Sequence, residues 1–122
     1  MPVRSLTQSV LRWPTPEAVL AAARCWALQQ QREHPGLKRV GVFGSYGRGN
    51  ASVGSDLDLL LVDDAAEGPQ YQRLRRWPLE QLPLACDALV LTSAELDQLL
   101  QGSGRMAAEL QRDLRWLEPR RS

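Results

Sequence analysis

A glycine-rich turn joins two apolar strands in this chain, and the second strand opens on two aspartates one residue apart. The segment runs Gly44-Ser45-Tyr46-Gly47-Arg48-Gly49-Asn50-Ala51-Ser52-Val53-Gly54-Ser55, then Asp56-Leu57-Asp58-Leu59-Leu60-Leu61-Val62. In an extended stretch from Asp56 to Val62, Leu57, Leu59 and Leu61 point one way, and Asp56, Asp58, Leu60 and Val62 point the other. Both faces are apolar beyond the aspartates. A strand of this kind belongs in the middle of a sheet, covered on both sides. Glycines let a backbone approach a phosphate closely. Paired carboxylates supply the hard oxygen ligands that a divalent cation takes. The segment therefore reads as a nucleoside-triphosphate and metal site.

The rest of the chain supplies the layers for such a strand. Thr15-Pro16-Glu17 combines a capping hydroxyl, a first-turn proline and an acid near the positive helix end, which predicts a helix to about Arg32. Val19, Ala23 and Trp26 give it a buried face. His34-Pro35-Gly36 stops it, and Lys38 to Phe43 reads as a first strand. After the Asp56–Val62 strand, a polar loop leads to a short helix from Tyr71 to Trp77, ending before Pro78. Leu84 to Leu91 reads as a third strand. Thr92 or Ser93 caps a helix through Leu100, and Gly102-Ser103-Gly104 breaks it. A last helix is expected from Arg105 to Leu117, with Met106, Leu110, Leu114 and Leu117 on one side. This order predicts an α/β or α+β fold: a small mixed sheet with helices packed on it. The 122 residues fit one compact domain, 1–122, without disulfide or zinc support.

Residues two apart on a strand project from the same face, so Asp56 and Asp58 present two carboxylates roughly 7 Å apart at Cα. Two like charges in a partly dry place require a counter-charge, and a cation meets that need. Asp87 is a third candidate. It lies inside the apolar run Leu84-Ala85-Cys86-Asp87-Ala88-Leu89-Val90-Leu91, where an ionised carboxylate needs a partner. If that strand pairs beside the Asp56 strand, Asp87 joins the same cluster and is placed to act as general base. Asp63, Asp64, Glu67 and Asp97 are expected to be solvated loop or helix-cap residues.

Gly44-Ser45, ten intervening residues, then Asp56-Leu57-Asp58 resembles the G-S-x10-D-x-D signature of polymerase-β-like nucleotidyltransferases. The fuller pattern also takes in Arg48, Gly49, Ser55 and Leu59, with Leu61-Val62 following. The chain looks like a minimal nucleotidyltransferase (MNT) domain with that family's fold. The resemblance implies that Gly44 and Ser45 cradle the β- and γ-phosphates, and that Asp56, Asp58 and Asp87 hold one or two Mg²⁺ ions. Asp87 would also help deprotonate an acceptor hydroxyl. The reaction implied is attack on the α-phosphate of ATP or another NTP, transfer of a nucleoside monophosphate, and release of pyrophosphate. Arg48 either neutralises phosphate charge or braces the loop, and Ser55 orders the entrance to the strand. Tyr46 is expected to pack the loop. Gly47 stands where many relatives carry alanine, which should loosen the short helix there. Many bacterial members are antitoxins paired with HEPN-type ribonuclease toxins, and some add AMP to a toxin tyrosine. The resemblance thus implies a protein adenylyltransferase acting as an antitoxin. The rival readings are an antitoxin that neutralises by contact alone, and a transferase acting on a small molecule. Self-association is left open.

Composition narrows the classes further. A net charge of +1 gives no argument for wholesale nucleic-acid or membrane-surface binding. No apolar run approaches the ~20 residues that cross a bilayer, and the opening residues lack a secretory apolar core, so a cytoplasmic protein is expected. Cys25 and Cys86 sit among apolar neighbours and are expected to be buried thiols. Arg73, Arg75 and Arg76 read as a solvated helix face. Trp26 and Trp77 read as packing residues, and Trp13 and Trp116 as candidates for an exposed partner contact.

Overall fold

The computed structural model describes residues 14–117. Helix α1 spans Pro16–Glu33, strand β1 Leu37–Phe43, the short helix α2 Gly44–Arg48 and strand β2 Leu57–Asp63. Then follow helix α3 (Gln70–Leu74), a 3₁₀ turn (Leu79–Gln81), strand β3 (Cys86–Leu91), helix α4 (Ser93–Gln101), helix α5 (Arg105–Asp113) and strand β4 (Arg115–Trp116). The four strands form one mixed sheet in the order β3-β2-β1-β4. β2 runs antiparallel to β1 and parallel to β3, and β4 lies antiparallel on the outer side of β1.

Local chemistry sets the helix ends. The Thr15 hydroxyl accepts the Ala18 N–H at 3.2 Å, and the His34 N–H closes the far end on the Gln30 carbonyl at 2.8 Å. Thr92 and Glu95 form a reciprocal capping box at the start of α4. The two faces of β2 separate as its alternation predicts. Leu57, Leu59 and Leu61 pack with Val19, Ala23 and Trp26 of α1, while Leu60 and Val62 pack with Leu96 of α4 and Leu110 of α5. β2 is therefore central and covered on both faces.

The sheet edge at β3 is closed by side chains. The Gln70 amide accepts the Val90 N–H at 3.0 Å and donates to the Val90 carbonyl at 2.7 Å, as a paired strand would. Beside it, Arg73 donates to the carbonyls of Gly68 and Val90 and grips both Glu95 oxygens, at 2.7 and 3.0 Å. One guanidinium thus ties α3, β3 and α4 together.

Several expectations are corrected here. The terminal helix stops at Asp113, and the chain turns extended at Leu114. Arg115 and Trp116 then pair with Val42 and Gly41, because the edge of β1 offers backbone groups that seek partners. Met106 is exposed, and the buried face of α5 is Ala107, Leu110 and Asp113. Cys25 is exposed and Cys86 half-buried, since Cys25 falls on the turn of α1 opposite Ala23. Asp63 is not solvated: it is buried at the end of β2, where it accepts the Ala65 N–H at 3.1 Å and faces Arg76 at 3.4 Å. Arg73 is buried, and only Arg75 and Arg76 remain exposed. Trp116 is half-buried with the Arg39 guanidinium 3.7 Å above its ring. Trp13 lies outside the described residues. Trp26 and Trp77 are core residues, as expected.

Two measurements test this architecture. Leu60→Ala, at a fully buried position of the central strand, should lower unfolding free energy by about 2–5 kcal/mol in urea titration. The pairing with Arg73, helped by the Thr92 N–H, depresses the Glu95 carboxyl from its ordinary 4.5 to about 2. A depressed carboxylate stabilises the fold above its unfolded value and loses that contribution as pH falls through its folded value. The stability gap between wild type and Glu95→Gln should be constant above pH 4.5 and shrink towards pH 2.

Candidate active site

The antiparallel register sets Phe43, the last residue of β1, opposite Asp58. The chain must turn at once, and Gly44 does so at φ +64°. That conformation suits glycine. A second constraint is steric: a Cβ built on Gly44 would collide with Asp58 Oδ2. Gly44 therefore leaves room for the carboxylate beside the loop. Ser45 follows, half-buried, and its carbonyl accepts the Asn50 N–H at 3.1 Å, while Gly49 closes the loop at φ +80°. Tyr46 is buried in the core, and burial raises its hydroxyl pKa above the ordinary range.

The parallel register of β2 and β3 aligns Asp58 with Asp87. Both precede the Leu60/Leu89 face by two residues, so the two carboxylates stand side by side on neighbouring strands, about 5 Å apart at the backbone. Asp56 lies just before β2 and is exposed, as is Asp87; Asp58 is half-buried. Ser55 orders this approach: its hydroxyl accepts the Ser52 N–H at 3.0 Å, and its own N–H donates to the Ser52 carbonyl at 3.0 Å.

The electrostatics at this place are those of crowded like charges. The Asp58 carboxyl is held above its ordinary pKa, first by burial, then by Asp87, Glu109 and Asp56, with Arg48 opposing. The Cys86 thiol is pushed up to about 12, chiefly by burial and further by Asp87 and Asp58. It is an unreactive neighbour. Among the described residues no three His, Cys, Asp or Glu side chains close into a ready-made metal cage. Asp58 and Asp87 are nevertheless a fitting pair for Mg²⁺, which takes one or two carboxylates and completes its shell with water and substrate phosphates. A bound cation would relieve the repulsion that raises Asp58.

Two residues at this site were not singled out from sequence. Glu109 lies on α5, which covers the same face of β2, and it acts on Asp58 more strongly than Asp56 does. Asp113, one turn further on, is 1% exposed and binds Arg48 at 2.9 Å. The signal was present: Ala107, Leu110 and Asp113 share one helical stripe, and an acid on a buried stripe requires a cationic partner. Arg48 is thus turned towards α5. Gly47 also has a different role from the loosening expected of it. A Cβ there would overlap the Asp113 carbonyl oxygen, so glycine allows α5 to close on the loop. In metal-free protein followed by ¹³C NMR, the Asp58 carboxyl should titrate above ordinary aspartates. Glu109→Gln should bring it down further than Asp56→Asn does.

The nucleotidyltransferase domain model matches residues 25–106. The structure is similar to that of a candidate nucleotidyltransferase from Sulfolobus solfataricus, at 26% identity and TM-score 0.58, over 68% of this chain and 75% of that one. It also shares its fold with a chain of a toxin–antitoxin crystal structure with AMP-PNP, at 16% identity and TM-score 0.53, over 78% of this chain and 72% of the other. No curated protein matches. With the family model covering β1 to β3, the glycine loop and all three aspartates, the chain belongs to the nucleotidyltransferase domain family.

Proposed function

We propose that this chain is a minimal, one-domain Mg²⁺-dependent nucleotidyltransferase that passes a nucleoside monophosphate, AMP from ATP, to a hydroxyl. The acceptor is a tyrosine of a HEPN-type toxin, and the chain acts as its antitoxin. The observation that carries the transferase part is the register that aligns Asp58 with Asp87 beside Gly44. A fold neighbour from a toxin–antitoxin structure with AMP-PNP supports the antitoxin part.

In this reading the Gly44–Ser45 turn receives the β- and γ-phosphates through its backbone N–H groups and the Ser45 hydroxyl. Asp58 and Asp87, with Asp56 at the strand entrance, would hold Mg²⁺. The bound ion would neutralise the triphosphate and steady the attacking and leaving oxygens. Asp87, the exposed member of the aligned pair, accepts the proton of the acceptor hydroxyl. The hydroxyl oxygen then bonds to the α-phosphorus. The bond to the bridging oxygen breaks, and its electron pair leaves with pyrophosphate. Ser55 keeps the Asp56 approach ordered through its bonds to Ser52.

Incubation with labelled ATP, Mg²⁺ and a HEPN-type partner should place label on the partner. Asp87→Asn should slow transfer by about a hundredfold or more. Asp56→Ala with Asp58→Ala should abolish transfer and neutralisation while the complex still forms. Neutralisation that survives in this double variant would instead identify an antitoxin working by contact.

A further inference from the structure

The family match ends at residue 106, yet helix α5, most of which lies past that point, closes on the glycine loop. The closure has three parts. The buried Asp113 carboxylate binds the Arg48 guanidinium, at 2.9 Å through Oδ2. The same carboxylate takes Arg112 at 2.8 and 3.1 Å, so both of its oxygens are engaged. The Asp113 carbonyl sits against Gly47, at a spot where no Cβ fits. The chain then leaves Asp113 for β4, which is bonded to β1 at Gly41 and Val42, just before the loop begins. The loop is therefore held from its own strand on one side and from α5 on the other.

We propose that Asp113 is a positioning residue for the triphosphate-binding loop, acting through Arg48 and the Gly47 contact to hold Gly44–Gly49 in its binding conformation. Its relevance to nucleotide binding rests on the transferase reading above. The physical basis is that a five-residue helix has too few internal hydrogen bonds to be stable alone. Its order comes from what packs against it. A buried charge pair removed on one side leaves the other side uncompensated, which makes Asp113 a sensitive place to release the loop. Arg112 is the outer half of the clasp, with its side chain 64% exposed and bonded to Asp113.

The test is hydrogen exchange of the loop amides without nucleotide, paired with the affinity of the Mg²⁺ complex of a non-hydrolysable ATP analogue. In Asp113→Asn, amides of residues 44–50 should exchange about tenfold faster or more, with β2 and β3 amides unchanged. Analogue affinity should fall by about tenfold in the same protein. Arg48→Gln breaks the pair from its 40% exposed side and should reproduce the loop result, which decides the matter if Asp113→Asn does not fold. Arg112→Ala should leave loop exchange as in wild type. Unchanged loop exchange, or a rise spread evenly over the sheet, overturns the clasp. A faster loop with wild-type analogue affinity overturns its positioning role. A wild-type protein that binds no analogue overturns the transferase reading, while the exchange result still decides the clasp.

Discussion

The carboxylate of Asp58 stands in the space that a side chain at residue 44 would fill. Much of the site's arrangement follows from that single contact. A carboxylate can be placed against the first residue of the loop only if that residue is glycine, with no Cβ and with access to positive φ. The contact sets the negative charge of Asp58 directly against the first residue of the loop. The β2–β3 register then adds Asp87, and α5 adds Glu109, so that burial and three like charges all push the Asp58 carboxyl upward. Such a cluster stores repulsion that a cation or a proton relieves.

Placing those charges requires a rigid frame. β2 supplies it by being buried on both faces, with α1 on one side and α4 and α5 on the other. The frame is held at its margins by polar devices. At the β3 edge, Gln70 and Arg73 satisfy the backbone of Val90, and Arg73 extends that grip to Glu95 on α4. At the other edge, β4 pairs with β1, and Asp113 anchors the turn that leads into it.

Much of the fold was legible because its signals are local. The alternation of leucines along β2 depends only on strand periodicity, and it assigned both faces correctly. Thr15 and Thr92 announced their helices through capping chemistry that needs no distant partner. The misreadings share a different origin. Asp63 and Arg73 looked solvated because a charge in a polar stretch normally is. Their burial depends on Ala65, Arg76 and Glu95 reaching them in space. Cys25 looked buried because its neighbours are apolar, but the helix turned it outward. The final helix was read four residues too far, since nothing local announces that Arg115 and Trp116 will serve a strand edge seventy-odd residues earlier.

The sequence by itself determined the central strand, the glycine turn before it and the identity of the three aspartates, because these follow from side-chain alternation and from the special conformations of glycine. The strand register of Asp58 with Asp87, the fit of the Asp58 carboxylate against Gly44, and the reach of Glu109 to Asp58 and of Asp113 to the loop emerge only in the folded chain. Those facts depend on strand pairing and on helices crossing a sheet. Such contacts join residues far apart in the chain, and a charge's partner is known only once the fold has brought it near.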